Sequence, residues 1–267
     1  MPNLITLTTD FGYQDAYVAS MKGVILSRNP DVRLVDVSHE IEPQEVMSAA
    51  FVLKQAVPYF PEQSVHLVVV DPGVGTSRKT LAMRKNGHVF VGPDNGLFSL
   101  LFDGEEPEQA VELTNRDFWQ SPAPSETFHG RDIMAPVAAH LAAGVPLEEM
   151  GEPVDEISML RWAMPIVDDQ GVQGWTVHID RFGNCISNIP KSLFEKPRSD
   201  RTFKCYVGGE VLERIHPTYA TVPEGDPLML FGSSGYLEIA VNGGNAAELL
   251  SIRKGDTINI VFLEQPA

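Results

Sequence analysis

A chain of 267 residues with 43% hydrophobic side chains can bury one large core or two ordinary ones. Its formal charge of −16 argues against general nucleic-acid binding, because neutralising phosphates takes clusters of Lys and Arg, and no run of five or more occurs. The apolar runs VHLVVV (65–70) and SAAFVLKQAV (48–57) fall short of the roughly 20 residues that span a bilayer. MPNLITLTTD lacks a basic stretch followed by an apolar one, so a cytoplasmic protein without membrane attachment is expected.

ITLTT (5–9), RLVDV (33–37) and VHLVVV (65–70) read as strands, and residues 14–28 and 44–60 carry helical apolar spacing between them. That βαβαβ order predicts an α/β N-terminal domain, residues 1–165, with a mainly parallel sheet covered by helices. TLAMR and HVFVG read as further strands, GPDNGLFSLLF as a turn leading into a short helix, and FHGRDIMAPVAAHLAAG as a glycine-rich start to a helix through about 143. Between about 145 and 170 Pro, Glu, Asp and Gly dominate, the composition of a linker. Beyond it helical periodicity nearly vanishes. GWTVHID, FKCYV, PLMLFG, YLEIAV and DTINIVF, parted by turn residues, predict an all-β, barrel-like C-terminal domain over residues 171–267. Cys185 and Cys205 show no CxxC spacing and read as core thiols.

Three strands end on polar loops, TTDFGYQD, DVSHEIEP and DPGVGTSR, and ligands of open α/β sheets sit beyond the carboxyl ends of the strands. The acids Asp10, Asp15, Asp36, Asp71 and Asp94, with His39, His129 and Asp132, could hold a divalent metal and activate water. Their spacing matches no compact ligand motif, and an Asp after a strand is more often a turn or capping residue than a catalyst. GxxxxGK[ST], GxGxxG and GxSxG are all absent, which argues against nucleoside triphosphates and the usual serine hydrolases.

TTDFG with a following Asp (8–15), DPGVGTSRK (71–79), GPDNGLF (92–98), FHGRDIMAP (128–136), DRFGN (180–184) and GSSGYLEIAVNGGNAA (232–247) occur in that order. Together they resemble the SAM hydroxide adenosyltransferases, the adenosine-forming S-adenosyl-L-methionine hydrolases related to fluorinase and chlorinase, over nearly the whole chain. The resemblance implies S-adenosyl-L-methionine as substrate, adenosine and L-methionine as products, and no metal or other cofactor. It also implies a homotrimer with its sites at subunit interfaces.

By the same resemblance Asp71, Arg78 and His129 hold and polarise the attacking water, with Asp71 or His129 taking its proton. Asp10 meets the ribose hydroxyls, and Asp15 lies near the ribose or methionine side. Asp180 meets the methionine ammonium, Asn184 reads the adenine edge and Tyr219 stacks on adenine. Ser233 and Glu238 face the methionine end, while the backbone at Asn245 and Ala246 closes over adenine. An anionic Asp71, where the halogenating relatives carry tyrosine, disfavours halide and favours water as the nucleophile. A non-catalytic sensor of adenosine or S-adenosylmethionine, and a halogenase-type adenosyl transfer, remain as alternatives.

Overall fold

Strand β1 (Leu4–Thr9) is buried on both faces, with Thr6, Thr8 and Thr9 as inaccessible as Ile5 and Leu7. Burial of both faces places it centrally in a covered sheet. The computed structural model describes residues 3–160 and 164–263, which fall into two compact units, Met1–Arg161 and Trp162–Ala267. No helix among the described residues is long and apolar enough to cross a membrane.

In the first unit β2 (Arg33–Ser38) and β3 (Val65–Val69) pair in parallel with β1 on either side. Helices α1 (Tyr17–Arg28) and α2 (Val46–Ala56) connect these strands, and α3 (Ala135–Ala142) packs against α1. Met21 and Ile25 of α1 and Val137 and Ala138 of α3 close over Ile5, Leu7, Leu67 and Val69 in one apolar cluster. The remaining strands are β4 (Thr80–Lys85), β5 (His88–Pro93), β6 (Gln109–Glu112) and β7 (Glu152–Pro153), giving the order β2-β1-β3-β5-β4-β6-β7 among the described residues. β5 extends the parallel set, whereas β4 runs antiparallel to it. A two-residue turn at Asn86 and Gly87, both at positive φ, joins that pair, and a connection so short can only reverse the chain. The expected short helix after GPDNG is instead a series of hydrogen-bonded turns. There Phe98 and Phe102 pack edge-on against Phe90.

The chain leaves β1 toward β2 on one side and leaves β3 toward β5 on the other. Between β1 and β3 the winding reverses, so the loops at their carboxyl ends diverge and leave a crevice.

The second unit is antiparallel. Its strands are β8 (Ile166–Val167), β9 (Gly171–Ile179), β10 (Cys185–Pro190), β11 (Thr202–Val207), β12 (Glu210–Leu212), β13 (Pro227–Phe231), β14 (Tyr236–Val241) and β15 (Thr257–Leu263). They run in the order β12-β11-β15-β9-β10-β14-β13, with β8 on β9. Just past edge strand β12, Ile215 bridges Met229 of the opposite edge strand, and His216 N–H donates to the Met229 carbonyl at 2.8 Å, so the sheet is nearly closed. Cys185 and Cys205 are free and fully buried inside it, their thiols pushed up to about 12 by burial. Two short helices, α4 (Lys191–Arg198) and α5 (Ala246–Leu249), interrupt what the sequence presented as strand and turn alone.

One buried network in the first unit carries no apparent ligand role. His66 Nδ1 lies 2.8 Å from Thr6 Oγ1 and its Nε2 3.1 Å from His88 Nδ1. Burial, and then the neighbouring His88, lower His66 from 6.5 to about 3. The folded protein therefore keeps His66 neutral where the unfolded chain binds a proton. As pH falls from 6.5 toward 3, this residue should remove about 1.4 kcal/mol of stability per pH unit. Urea unfolding between pH 7 and 5 should show a shallower loss in His66→Gln than in the unaltered protein, and parallel curves would reject the assignment.

Candidate active site

β1 and β3 end in register, Thr9 beside Val69, so Asp10 and, one residue further along its strand, Asp71 leave the sheet at the crevice. A cavity of about 350 Å³ opens there, lined by Asp10, Phe11, Tyr17, Gln44, Asp71, Phe128 and His129 among other residues.

The loop after Asp71 folds back on it. The Val74 N–H donates to the Asp71 carbonyl at 3.2 Å and the Thr76 hydroxyl to the Gly73 carbonyl at 2.7 Å. Gly75 has φ 77°, and the Glu126 carbonyl oxygen lies 2.5 Å from where a Cβ would stand. Any other residue would push the loop off the segment that leads to His129. So folded, the loop returns Arg78 to Asp71. Arg78 Nε donates to Asp71 Oδ1 at 2.7 Å and Nη2 donates to Oδ2. The two side chains keep only 6% and 9% of their exposure, which shelters this bidentate pair from water.

His129 comes from far along the chain. It caps a π-helical turn, Gly130–Met134, that runs into α3, and such turns recur at functional sites. Asp132 in that turn is buried and accepts from Arg131 Nε at 2.6 Å and from the Ser125 N–H at 2.8 Å, so it braces the preceding loop. Arg78 Nη2 stands 3.2 Å from His129 Nδ1. A guanidinium can only donate, so Nδ1 accepts and the neutral ring carries its proton on Nε2. Burial lowers the His129 pKa and the Arg78 charge lowers it further, with Asp71 acting in the opposite sense. Burial raises Asp10, opposed by the Gln44 N–H that its carboxylate accepts at 2.8 Å.

Asp10, Asp71 and His129 are thus brought to one cavity, with Arg78 behind them. Asp15 stands exposed ahead of α1, outside the cavity lining. The structure adds an aromatic wall. Phe11, Tyr17 and Phe128 contact one another with ring centroids 5.2 to 5.7 Å apart. The first and last of these rings lie inside the quoted motifs TTDFG and FHGRD, but nothing local in the sequence says that they meet.

The second unit has a cavity of about 630 Å³, lined by Asp180, Phe182, Asn184, Tyr219, Gly243 and Asn245 among other residues. Asp180 shapes its wall. Oδ1 accepts the Phe182 and Asn184 N–H groups, each at 2.9 Å, and Oδ2 accepts Asn184 Nδ2 at 3.0 Å. Gly183 sits at φ 85°, where a Cβ would stand 2.0 Å from Asn245 Oδ1. This close approach docks DRFGN onto the start of α5, which Asn245 caps by accepting the Glu248 N–H at 3.1 Å.

Tyr219 O–H donates to Glu238 Oε1 at 2.6 Å. Glu238 is buried, and burial raises its carboxyl pKa. It stands behind Tyr219 rather than on the cavity wall. Ser233 lies exposed in the turn between β13 and β14, also outside the lining, while Ala246 is the buried first residue of α5. Among the described residues no group of three or more His, Cys, Asp or Glu is arranged to hold a metal ion.

The chain matches the model of the SAM hydroxide adenosyltransferase N-terminal domain over residues 5–151 and that of the C-terminal domain over residues 174–259. It is 43% identical to an (R)-S-adenosyl-L-methionine hydrolase of Salinispora tropica, over 96% of this chain and 97% of the relative. It is 40% identical to a hydrolase of the same name from Thermus thermophilus, over 95% and 97%. The crystal structure of an uncharacterised conserved protein from Thermotoga maritima superposes with a TM-score of 0.88 at 40% identity, covering 96% of this chain and 99% of that one.

Replacing Arg78 with Met should strand a buried carboxylate and cost on the order of 3–5 kcal/mol in chemical unfolding of the first unit. The same change removes a positive charge beside His129, so its titration, followed by ring-proton NMR, should move upward. A His129 titration unchanged in Arg78→Met would contradict the contact.

Proposed function

This chain belongs to the SAM hydroxide adenosyltransferase family, and on that premise we propose that it hydrolyses S-adenosyl-L-methionine to adenosine and L-methionine through water held at Asp71 and His129. The observation that carries the proposal is the single Arg78 guanidinium shared by Asp71 and His129 at the wall of a cavity that also holds Asp10.

The sulfonium of the substrate makes ribose C5′ an electrophile and methionine a neutral leaving group. No proton or Lewis acid is needed at sulfur, and for that reason the proposal includes no metal or other cofactor. The water oxygen bonds to C5′ as the C5′–S bond breaks, the bonding pair leaves on sulfur, and one water proton must be taken up. His129 offers the cavity an Nε2–H donor, which suits it to fix a lone pair of the water, and the cost of placing a second positive charge beside Arg78 makes it a poor acceptor. Asp71 is then the acceptor, since each carboxylate oxygen keeps capacity beyond its bond from Arg78. Holding the water in line contributes through positioning, and proton acceptance adds about 10²- to 10⁴-fold.

Asp10 can accept both ribose hydroxyls. In the second unit Asn184, Tyr219 and the backbone at Asn245 suit an adenine, and Asp180 suits an ammonium. A homotrimer is part of the proposal, and sedimentation velocity reads it. The configuration in the relatives' name, R at sulfur, is adopted with it and is checked by supplying the two diastereomers separately.

Purified protein incubated with S-adenosylmethionine should release adenosine and methionine in equal amounts by chromatography, unaffected by EDTA. Asp71→Asn should lower kcat by about 10²-fold or more, whereas His129→Gln, which keeps an N–H donor, should lose only about tenfold. Equal losses in the two variants would make His129 the base. Absence of product above the Asp71→Asn control would leave a binding protein, and a halogenated nucleoside formed with added chloride would replace water as the nucleophile.

A further inference from the structure

Two loops build the Asp10 side of the cavity. Residues 10–13 follow β1 and supply Asp10 and Phe11, and residues 39–44 follow β2 and supply Pro43 and Gln44. His39, only 1% exposed, opens the second loop, packs against the first and takes no part in the chemistry described above.

Its contacts reach both loops. The His39 carbonyl accepts the Gly12 N–H at 2.7 Å, and Nδ1 stands 2.8 Å from Thr9 Oγ1. Nε2 lies 3.1 Å from Asp36 Oδ1, approached at a bent angle. The direction of this network follows from its ends. The Phe11 N–H can only donate, and it does so to Thr9 Oγ1 at 3.3 Å. An ionised Asp36 can only accept, and it also takes Lys22 Nζ at 2.6 Å and the Tyr13 hydroxyl at 3.1 Å. Against burial, which raises it, Lys22 and His39 hold the Asp36 carboxyl below its usual value. The Asp36 carboxylate 3.1 Å away favours the ring proton on Nε2, an ion-pair contact too bent to be a hydrogen bond, and Nδ1 then accepts a hydrogen bond from the Thr9 hydroxyl.

Thr9 precedes Asp10 and Phe11 follows it, so the network fixes the backbone on both sides of that carboxylate. We propose that His39, through Thr9 and Asp36, is a positioning residue that clamps the two loops and presents Asp10 preorganised to the ribose of the ligand. The inference rests on the functional reading above for the identity of that ligand. Without the clamp the loop must be ordered on binding, which weakens affinity. The water site at Asp71 lies on another loop, so the chemical step should be spared.

The test compares Thr9→Val, which keeps the shape and removes the hydroxyl, with Thr9→Ser, which restores it, and with His39→Ala. KM for S-adenosylmethionine, kcat, and adenosine affinity by calorimetry are measured for each. Thr9→Val and His39→Ala should each raise KM and the adenosine Kd about tenfold, the effect of one lost buried hydrogen bond. In both variants kcat should stay within about twofold, the pattern of lost binding rather than lost chemistry. Thr9→Ser should lie close to the unaltered protein, and the Thr9→Val/His39→Ala double variant should be no worse than His39→Ala alone. Lowered Tm with unchanged KM and Kd, or a fall in kcat alone, overturns the clamp. If the unaltered protein binds adenosine but releases no product, the hydrolase reading fails while the adenosine affinities still decide the clamp. A protein that neither hydrolyses the substrate nor binds adenosine overturns both.

Discussion

One guanidinium sets the character of the first unit's cavity. Arg78 gives two bonds to Asp71 and a third contact to His129, and each of these partners would be a different group without it. Asp71 would be a buried, unpaired carboxylate, which the fold could hold only at a cost of several kcal/mol. His129 would be free to carry its proton on either nitrogen. With Arg78 present, the carboxylate is paired yet still able to accept, and the imidazole is held neutral as a donor.

That contact depends in turn on the sheet. Parallel pairing of β1 with β3 ends both strands at the same level, and the reversal of winding between them leaves the space above their ends open. The loops that fill the rim are held by polar networks as well as by the packing of Phe11 and Phe128. Asp132 ties down residue 125, and Thr9, His39 and Asp36 tie the β1 loop to the β2 loop. Directional bonds of this kind fix a loop more narrowly than apolar contact does. The second unit uses the same device, with Asp180 closing its turn on backbone N–H groups and Glu238 holding Tyr219 at the cavity.

Much of the fold was legible because its signals are local. VHLVVV is a buried strand by composition, and the alternation after residue 171 marks antiparallel strands. The antiparallel placement of β4 went unread, although the Asn-Gly pair between TLAMRK and HVFVG carries its signal. The missed helix α4 has a plain cause. It is eight residues long with Pro197 inside, too short and too interrupted to show a period. The segment after GPDNG shows the reverse error, because its apolar spacing serves a cluster of phenylalanine rings instead of a helix face.

The sequence by itself determined the two fold classes, the placing of Asp10 and Asp71 at strand ends, and the order of motifs that marks the family. The first two follow from the periodicity and turn chemistry of short segments, and the third from the resemblance of those motifs to a known family. Tertiary structure alone decided which side chains meet. The fifty-one-residue separation of Arg78 and His129, the seating of Gly75 on Glu126 and the retreat of Glu238 behind Tyr219 depend on contacts between distant segments, which no local pattern encodes. The proton on His129 is the sharpest case. Its position is set by a donor on another loop, and it exists as a defined chemical choice only once the chain has folded.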